Sequence, residues 1–132
     1  MLLNKGLQVK IRVYYEDTDT GGVVYHSNYL NFCERARSEA FFTKKISPVL
    51  KNGHFVARKI EADYFSSAKL GDELDVDTTL LEMKGASFKL LQTILLDAKI
   101  IFELKITLVY IGFDSKPKKI DEDTKNLILS LF

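Results

Sequence analysis

The sequence predicts one α+β domain, in which a long central helix is wrapped by a curved sheet of five antiparallel strands. Near the N-terminus, apolar and polar residues alternate as in a half-buried strand, and a helical periodicity follows. Most of the remaining chain is a series of alternating stretches separated by turn residues. A lone helix must bury its apolar stripe, and a sheet wrapped around it is an economical solution.

The first strand and the long helix have clear periodicities. The strand is expected where one set of residues alternates with another: Val9, Ile11, Val13 and Tyr15 against Lys10, Arg12 and Tyr14. The helix is expected where apolar residues recur every three or four positions: Tyr29, Leu30, Cys33, Ala36, Ala40 and Phe41. Charged and polar residues from Glu34 to Glu39 occupy the rest of its circumference. Ser27 or Asn28 is expected to cap it.

Four further strands are predicted after the helix. In each of them, every second residue is expected on the same face of the sheet. These sets are Arg58, Ile60, Ala62 and Tyr64 in the first strand and Leu74, Val76, Thr78 and Leu80 in the second. In the third strand the set runs from Phe88 to Leu96, and in the fourth from Ile100 to Tyr110. Lys84-Gly85 and Asp97-Ala98 are the expected turns. Residues 121–131 are expected to form a short C-terminal helix. Apolar residues expected on the opposite face, Phe55, Leu91, Leu95 and Ile101, suggest association with another copy.

Composition narrows the class of protein. The chain has 132 residues, which fits a single domain over 1–132, and its 46% hydrophobic and 28% charged residues are typical of a globular protein. A net charge of +1 gives no support to nucleic-acid binding. No apolar run reaches the roughly 18 residues of a membrane span. These features exclude a disordered chain and give no sign of a membrane-spanning one.

A cytoplasmic location is expected from two features. Cys33 is the single cysteine, so no intrachain disulfide can form, and this fits a reducing compartment. The segment Met1–Lys5 is too short and too quickly polar for a signal peptide.

A dense polar segment, Asp17-Thr-Asp-Thr-Gly-Gly-Val-Val-Tyr-His-Ser-Asn-Tyr29, separates the first strand from the helix. It has the residue types of an active site. One of Asp17 and Asp19 could be a general base or nucleophile while the other accepts structural hydrogen bonds, or both could simply organise the turn. A calcium loop is not expected, because the fifth and twelfth positions counted from Asp17 are Gly21 and Asn28 rather than ligands of the required type.

The adjacent glycines and the helix start suggest an oxyanion site. Gly21-Gly22 allows positive φ and close backbone approach to a ligand. Free amides at the start of the helix can stabilise negative charge that develops on an oxygen. His26 lies there and could bind a carbonyl oxygen through its ring or its amide, or it could be a partly buried structural histidine. Cys33 lies in the helix stripe and is expected to be a packed hydrophobe rather than a nucleophile.

Four segments resemble the hotdog-fold acyl-CoA thioesterases, in particular the 4-hydroxybenzoyl-CoA thioesterase branch and its YbgC-type, Tol–Pal-associated members. These segments are Tyr15-Glu-Asp-Thr-Asp-Thr-Gly-Gly-Val-Val-Tyr-His-Ser-Asn-Tyr29, Phe32-Cys-Glu-Arg-Ala-Arg-Ser-Glu39, Phe55-Val-Ala-Arg-Lys-Ile-Glu-Ala-Asp-Tyr64 and Ala68-Lys-Leu-Gly-Asp72. The resemblance extends over residues 8 to 112. The order of one strand, a long helix and four strands is the hotdog order.

The resemblance implies a role for each site residue. Asp19 would act at the thioester carbonyl as nucleophile or general base, and the backbone amide of His26 would hold the carbonyl oxygen. The His26 ring could add a donor, and Tyr15 could shape the pocket. Asp17, Gly22 and Tyr25 would support or position these groups. The resemblance implies neither a metal nor a cofactor.

Arg58 and Lys59 are the candidates for substrate binding on the sheet. The parity of Arg58 places it with Val56 and Ile60 on an apolar face, where an inward guanidinium would need a partner. That partner could be a CoA phosphate or, equally, the carboxylate of a local salt bridge. Lys59 is a further candidate for the CoA phosphates.

Two alternatives to this interpretation remain. The chain could be a hotdog module that binds an acyl chain or a protein without hydrolysis. Catalysis could instead depend on a helix acid, Glu34 or Glu39, as in another hotdog branch. The resemblance further implies acyl-CoA as the substrate, a homodimer or homotetramer, and a possible link to cell-envelope or lipid-synthesis proteins.

Overall fold

The computed structural model describes residues 7–132 as a five-stranded antiparallel sheet with two helices. The elements in chain order are β1 (Leu7–Arg12), a 3-10 turn (Tyr15–Asp17), α1 (Asn28–Phe42), β2 (His54–Tyr64), β3 (Glu73–Met83), β4 (Ser87–Leu96), β5 (Lys99–Ile111) and α2 (Glu122–Leu131). The strand order is β1-β3-β4-β5-β2, so β1 and β2 are the edges. This confirms the predicted α+β class. The predicted absence of a signal peptide concerns residues that lie outside the described range.

The core lies between α1 and the sheet. Most of the predicted helix stripe is buried, with Cys33 and Ala36 fully inaccessible to solvent, and Phe32, which was not assigned to the stripe, is equally inaccessible. They belong to one cluster with Leu74 and Val76 of β3 and with apolar residues of β4 and β5. Ile128 of α2 packs into the same cluster, so the C-terminal helix shares the core. Burial of this apolar surface is the main favourable contribution to folding.

The alternation predicted for β3, β4 and β5 is largely confirmed. The inward sets are buried: Leu74, Val76 and Thr78; Phe88, Leu90, Gln92 and Ile94; Phe102, Leu104, Ile106, Leu108 and Tyr110. Asp97 and Ala98 both have positive φ, 50° and 66°, as a tight hairpin between β4 and β5 requires. The Lys84-Gly85 turn is also present, closed by a bond from the Lys84 N–H to the Ser87 carbonyl.

The prediction was wrong at the start of β5 and for two residues of the opposite face. Ile100 is exposed, because the register shifts by one residue between Ile94 and Leu95 and leaves Ile101 as an extra, buried residue. Phe55 packs with Phe41 and Tyr110 on the helix side of the sheet rather than opposite it. The apolar opposite face is therefore smaller than the alternation implied.

The strand prediction also extended too far at β1. The strand ends at Arg12, and Tyr15 begins a 3-10 turn in which its side chain is 82% exposed. Asp17, three residues beyond Tyr14, causes the change, because its carboxylate accepts the Tyr14 N–H at 2.9 Å and folds the chain back on itself. Local side-chain to backbone bonds of this kind compete with strand pairing.

Arg58 does not point into the core as its parity indicated. The pairing of β2 with β5 skips one residue between Ala57 and Lys59, so Arg58 is the extra residue of a β-bulge. Arg58 and Lys59 are both exposed, and neither forms an ion pair within the described part of the chain. The bulge reverses the alternation beyond it, so Ile60 lies opposite the buried Ile106 on the helix side of the sheet, and 44% of it stays exposed on this edge strand.

Arg37 differs from the solvated residue that the helical pattern indicated. Its guanidinium extends from α1 toward β4 and donates to Gln92 Oε1 at 2.9 Å. Gln92 in turn donates to the Cys33 carbonyl at 3.0 Å and to Thr78 Oγ1 at 2.9 Å. Burial lowers the pKa of Arg37, because the surroundings disfavour its charged form. These four residues form a polar network inside the core.

Neither helix of the described residues is long and apolar enough to cross a lipid bilayer.

Candidate active site

The dense segment between β1 and α1 forms a small hairpin. Asp19 N–H donates to the Val23 carbonyl at 2.8 Å, and Gly22 N–H donates to the Asp19 carbonyl at 3.1 Å. Thr18 and Val24 form an isolated antiparallel bridge that closes the hairpin. Val24 N–H donates to the Ala68 carbonyl at 2.9 Å, which attaches the hairpin to the loop after β2. The segment is therefore held from both sides.

Asp17 is the buried base of this hairpin, with only 4% of its surface exposed. Its carboxylate accepts the Tyr14 N–H, while its carbonyl accepts the Tyr25 N–H and the Asn28 side-chain amide, each at 2.9 Å. One residue thus joins the 3-10 turn, the hairpin and the start of α1. This is the geometry of a structural residue.

Asp19 has the opposite environment. Its side chain is exposed, and Oδ1 accepts the Gly21 N–H at 2.8 Å in a two-residue side-chain turn. Oδ2 has no hydrogen-bond partner among residues 7–132. Gly22 completes the turn with φ of 82°, a conformation that L side chains rarely adopt. The turn leaves one carboxylate oxygen available to a ligand.

The start of α1 is not capped by a side chain, contrary to the prediction. Ser27 occupies the cap position with helical φ and ψ, and its hydroxyl makes no cap bond. The Asn28 side chain is used elsewhere, donating to the Asp17 carbonyl and accepting from Asn31. No side chain therefore occupies the amides at the helix start, and the N–H groups of His26 and Ser27 have no acceptor among residues 7–132.

An open cleft of about 370 Å³ brings Asp19 and the helix start together. Its lining consists of Asp19, Val23, Val24, Tyr25, His26, Tyr29, Tyr64, Phe65, Ser66 and Ser67. The rings of Tyr25 and His26 lie 4.5 Å apart by their centroids. Tyr29 forms the buried floor, stacked on Phe102, and burial raises the pKa of its hydroxyl. The cleft therefore combines a carboxylate and free amides with aromatic walls.

The predicted site residues divide into three groups. Asp19, Tyr25 and His26 line the same cleft, and Asp17 and Gly22 shape the hairpin beneath it. Tyr15 lines a second depression of about 380 Å³, on which Asp19 also borders.

The third group is Arg58 and Lys59. Arg58 lies six residues before Tyr64 along β2, or roughly 20 Å at the rise of an extended strand. The structure does not bring these two residues into the cleft of their own chain.

Seven lining residues were not predicted as site residues from the sequence: Val23, Val24, Tyr29, Tyr64, Phe65, Ser66 and Ser67. Tyr29 was assigned to the helix stripe and Tyr64 to the end of a strand, and neither assignment indicates that the side chain lines the cleft. Phe65, Ser66 and Ser67 form a loop without periodicity. The one available signal was the abrupt change after Tyr64 from alternation to an aromatic residue followed by two serines.

Cys33 and the two helix acids lie apart from this cleft. Cys33 is fully buried, and burial raises the pKa of its thiol to about 12, which agrees with the predicted packing role. Glu34 and Glu39 are exposed on α1. Glu34 accepts the Ser38 hydroxyl and borders a separate, mostly apolar cleft with Arg37 and Phe41.

A five-stranded antiparallel sheet packed across one long helix is the architecture of the hotdog thioesterase class. The family described as the thioesterase superfamily matches residues 21–97, and the chain belongs to that family.

Particular relatives support this assignment. The acyl-CoA thioesterase YbgC of Helicobacter pylori is 50% identical over 86 residues, which is 65% of each chain. Its counterpart in Haemophilus influenzae is 46% identical over 90 residues, covering 65% of this chain and 66% of the relative. The aligned region thus spans just under two thirds of these curated relatives.

A solved structure agrees along nearly the whole chain. The crystal structure of a probable thioesterase from Bartonella henselae superposes with a TM-score of 0.83 at 29% identity. The match covers 89% of this chain and 100% of the other. The hotdog fold predicted from the sequence is therefore confirmed.

Proposed function

We propose that this protein is an acyl-CoA thioesterase, which hydrolyses the thioester of acyl-CoA to the free acid and CoA. The observation that carries the proposal is the exposed Asp19 carboxylate, whose Oδ2 is free, in the same cleft as the uncapped start of α1. The names of the YbgC relatives, acyl-CoA thioesterase and acyl-CoA thioester hydrolase, support the same activity.

In the proposed reaction, Asp19 acts on the thioester carbon. Its free oxygen either attacks this carbon directly, giving an anhydride that water then opens, or removes a proton from the water that attacks. In both cases the thioester oxygen gains negative charge, and the C–S bond breaks with the electron pair leaving on sulfur. A thiol with a pKa near 8.5 leaves without strong protonation, so the site needs no separate strong acid.

The helix start serves as the oxyanion site in this proposal. The His26 N–H has no hydrogen-bond acceptor within residues 7–132. The partial positive charge at the N-terminus of α1 favours an anionic oxygen beside it. Asp17, Gly22 and Tyr25 hold the hairpin in place, and Tyr15 borders the outer side of Asp19. The groups are fixed before substrate binds, which is the source of electrostatic stabilisation in such sites.

Arg58 and Lys59 are proposed to bind the CoA phosphates. Both are exposed and cationic, and Arg58 has no carboxylate partner in the part of the chain that the structure describes. The phosphates of CoA lie at the far end of a long pantetheine arm from the thioester. Basic residues far from the cleft are therefore where the nucleotide portion is expected, on this chain or on a neighbouring copy.

A homodimer or homotetramer is proposed as the working form. β2 is an edge strand, and an exposed edge favours pairing with another strand. Ile60, Tyr64 and Phe65 are apolar or aromatic residues of this edge region that remain substantially exposed. We further propose a cytoplasmic location, a single domain over 1–132, and a link to cell-envelope or lipid-synthesis proteins, the last by family resemblance alone.

The test of this function is an acyl-CoA panel from acetyl-CoA to palmitoyl-CoA, followed by release of free thiol. Turnover on at least one member supports the proposal, and the panel also defines the chain-length preference. The alternative is a non-catalytic binding module. Binding of acyl-CoA by calorimetry without turnover of any member would favour that alternative and contradict the thioesterase proposal.

A further inference from the structure

The hydroxyl of Tyr64 makes a direct bond to the proposed oxyanion site. It donates to the His26 carbonyl at 2.9 Å and so joins the end of β2 to the start of α1 across 38 positions of sequence. Tyr64 also lines the cleft that contains Asp19. The alternating pattern of the strand does not by itself assign a role to Tyr64.

The helix itself does not use the carbonyl that Tyr64 binds. Around the first turn, Asn28 N–H donates to the Tyr25 carbonyl at 2.8 Å and Leu30 N–H donates to the Ser27 carbonyl at 3.1 Å. Both bonds span three residues, and neither has the His26 carbonyl as its acceptor. A side-chain donor is therefore required if this carbonyl is to be held in a fixed direction.

The position of the Tyr64 ring is determined by the core. Its centroid lies 4.9 Å from Phe102 and 5.7 Å from Tyr29, in edge-to-face geometry with each. The Tyr29 hydroxyl accepts the Ala68 N–H at 3.0 Å, which fixes the second ring in turn. The Tyr64 hydroxyl that donates to the His26 carbonyl is therefore held in position by packed aromatic rings rather than by a mobile loop.

We propose that Tyr64 is a positioning residue that orients the oxyanion donors at the start of α1. The Asn28 bond to the Tyr25 carbonyl holds the peptide that carries the His26 N–H, and the Tyr64 bond holds the following peptide, which carries the Ser27 N–H. Together they fix both peptide planes that flank His26. This inference rests on the proposed function, because it assigns a catalytic purpose to that alignment.

The test compares Tyr64→Phe with wild type and with Tyr14→Phe on the best acyl-CoA of the panel. Tyr64→Phe keeps the ring contacts and removes only the hydroxyl, and Tyr14 is an exposed tyrosine that does not line the cleft. We expect kcat to fall about tenfold, the scale of one lost hydrogen bond, with KM unchanged and the unfolding midpoint lowered only modestly, because the ring contacts remain. Tyr14→Phe should match wild type. Amide hydrogen exchange at Asn28, whose N–H is bonded to the Tyr25 carbonyl, should accelerate in Tyr64→Phe alone.

The outcomes separate this inference from the function on which it rests. An active wild type with an unchanged kcat in Tyr64→Phe would overturn the role of Tyr64 alone. A raised KM at constant kcat would also overturn it, because that result indicates a substrate contact. An inactive wild type would contradict the proposed function, and unchanged exchange at Asn28 would contradict the positioning bond independently of activity.

Discussion

Asp17 and Asp19 are two residues apart and have opposite environments. Asp17 is 4% exposed and bonded to the Tyr14 N–H, whereas Asp19 is exposed with one oxygen free. The spacing of the pair indicated that their roles could differ, but not which was structural. That distinction depends on the hairpin closed by Val23 and Val24, whose partners lie in the distant loop containing Ala68.

The thiol of Cys33 should be unreactive in the native protein. It is fully buried, and burial raises its pKa to about 12, so almost no thiolate forms near neutral pH. We expect a disulfide reagent such as DTNB to give no fast release of chromophore from the native protein and one equivalent after denaturation in guanidinium. Rapid native labelling would contradict the packing of α1 on the sheet.

Gln92 should be important for stability because it is the hydrogen-bond partner of the partly buried Arg37. Removing its amide in Gln92→Leu leaves the guanidinium without that acceptor, which should cost about 2 kcal/mol in the free energy of unfolding. The double variant Arg37→Met with Gln92→Leu should recover much of the loss, since no charge is then left unpaired. Urea denaturation of the two single variants and the double variant measures the coupling. Additive losses would contradict the network.

At the scale of elements, the strands and the long helix were largely predictable, and their irregularities were not. The bulge at Arg58 reverses the alternation of β2, and the extra residue Ile101 does the same at the start of β5. Each irregularity depends on the register with a neighbouring strand, which periodicity within one strand does not contain. The uncapped start of α1 was missed for a similar reason, because Asn28 is occupied by Asp17.

The N-terminus of α2 provides a pH-dependent contribution to stability. Asp121 Oδ1 accepts the Thr124 N–H at 2.8 Å, and this bond lowers the pKa of the Asp121 carboxyl. Because the folded pKa is below the unfolded one, the stabilisation is complete above about pH 4 and is lost as pH falls through the folded pKa. Asp121→Ala should therefore cost about 1 kcal/mol at pH 7 and progressively less toward pH 2. Urea denaturation at several pH values measures this, and a pH-independent difference would contradict it.

At the scale of the whole molecule, the sequence was sufficient to predict a helix wrapped by five antiparallel strands, but not the complete lining of the cleft. The cleft lies between the hairpin before α1 and the loop after β2, and the fold alone brings Tyr64 to the His26 carbonyl and Ser66 to the same cleft. Asp19, Tyr25 and His26 were predictable because one short segment contains all three. Residues contributed by a second element carry no signal that links them to the first.

The central claim is that the Asp19 carboxylate carries out thioester hydrolysis, and Asp19→Asn tests it most directly. Asn retains the oxygen that accepts the Gly21 N–H, so the hairpin should persist. Asp114→Asn is the matched control, since Asp114 Oδ1 accepts the Lys116 N–H at 3.0 Å in the same kind of turn away from the cleft. With free thiol followed on the best substrate, kcat of Asp19→Asn should fall by at least about 10³-fold while Asp114→Asn retains wild-type activity. Near-normal turnover by a folded Asp19→Asn variant would contradict the account.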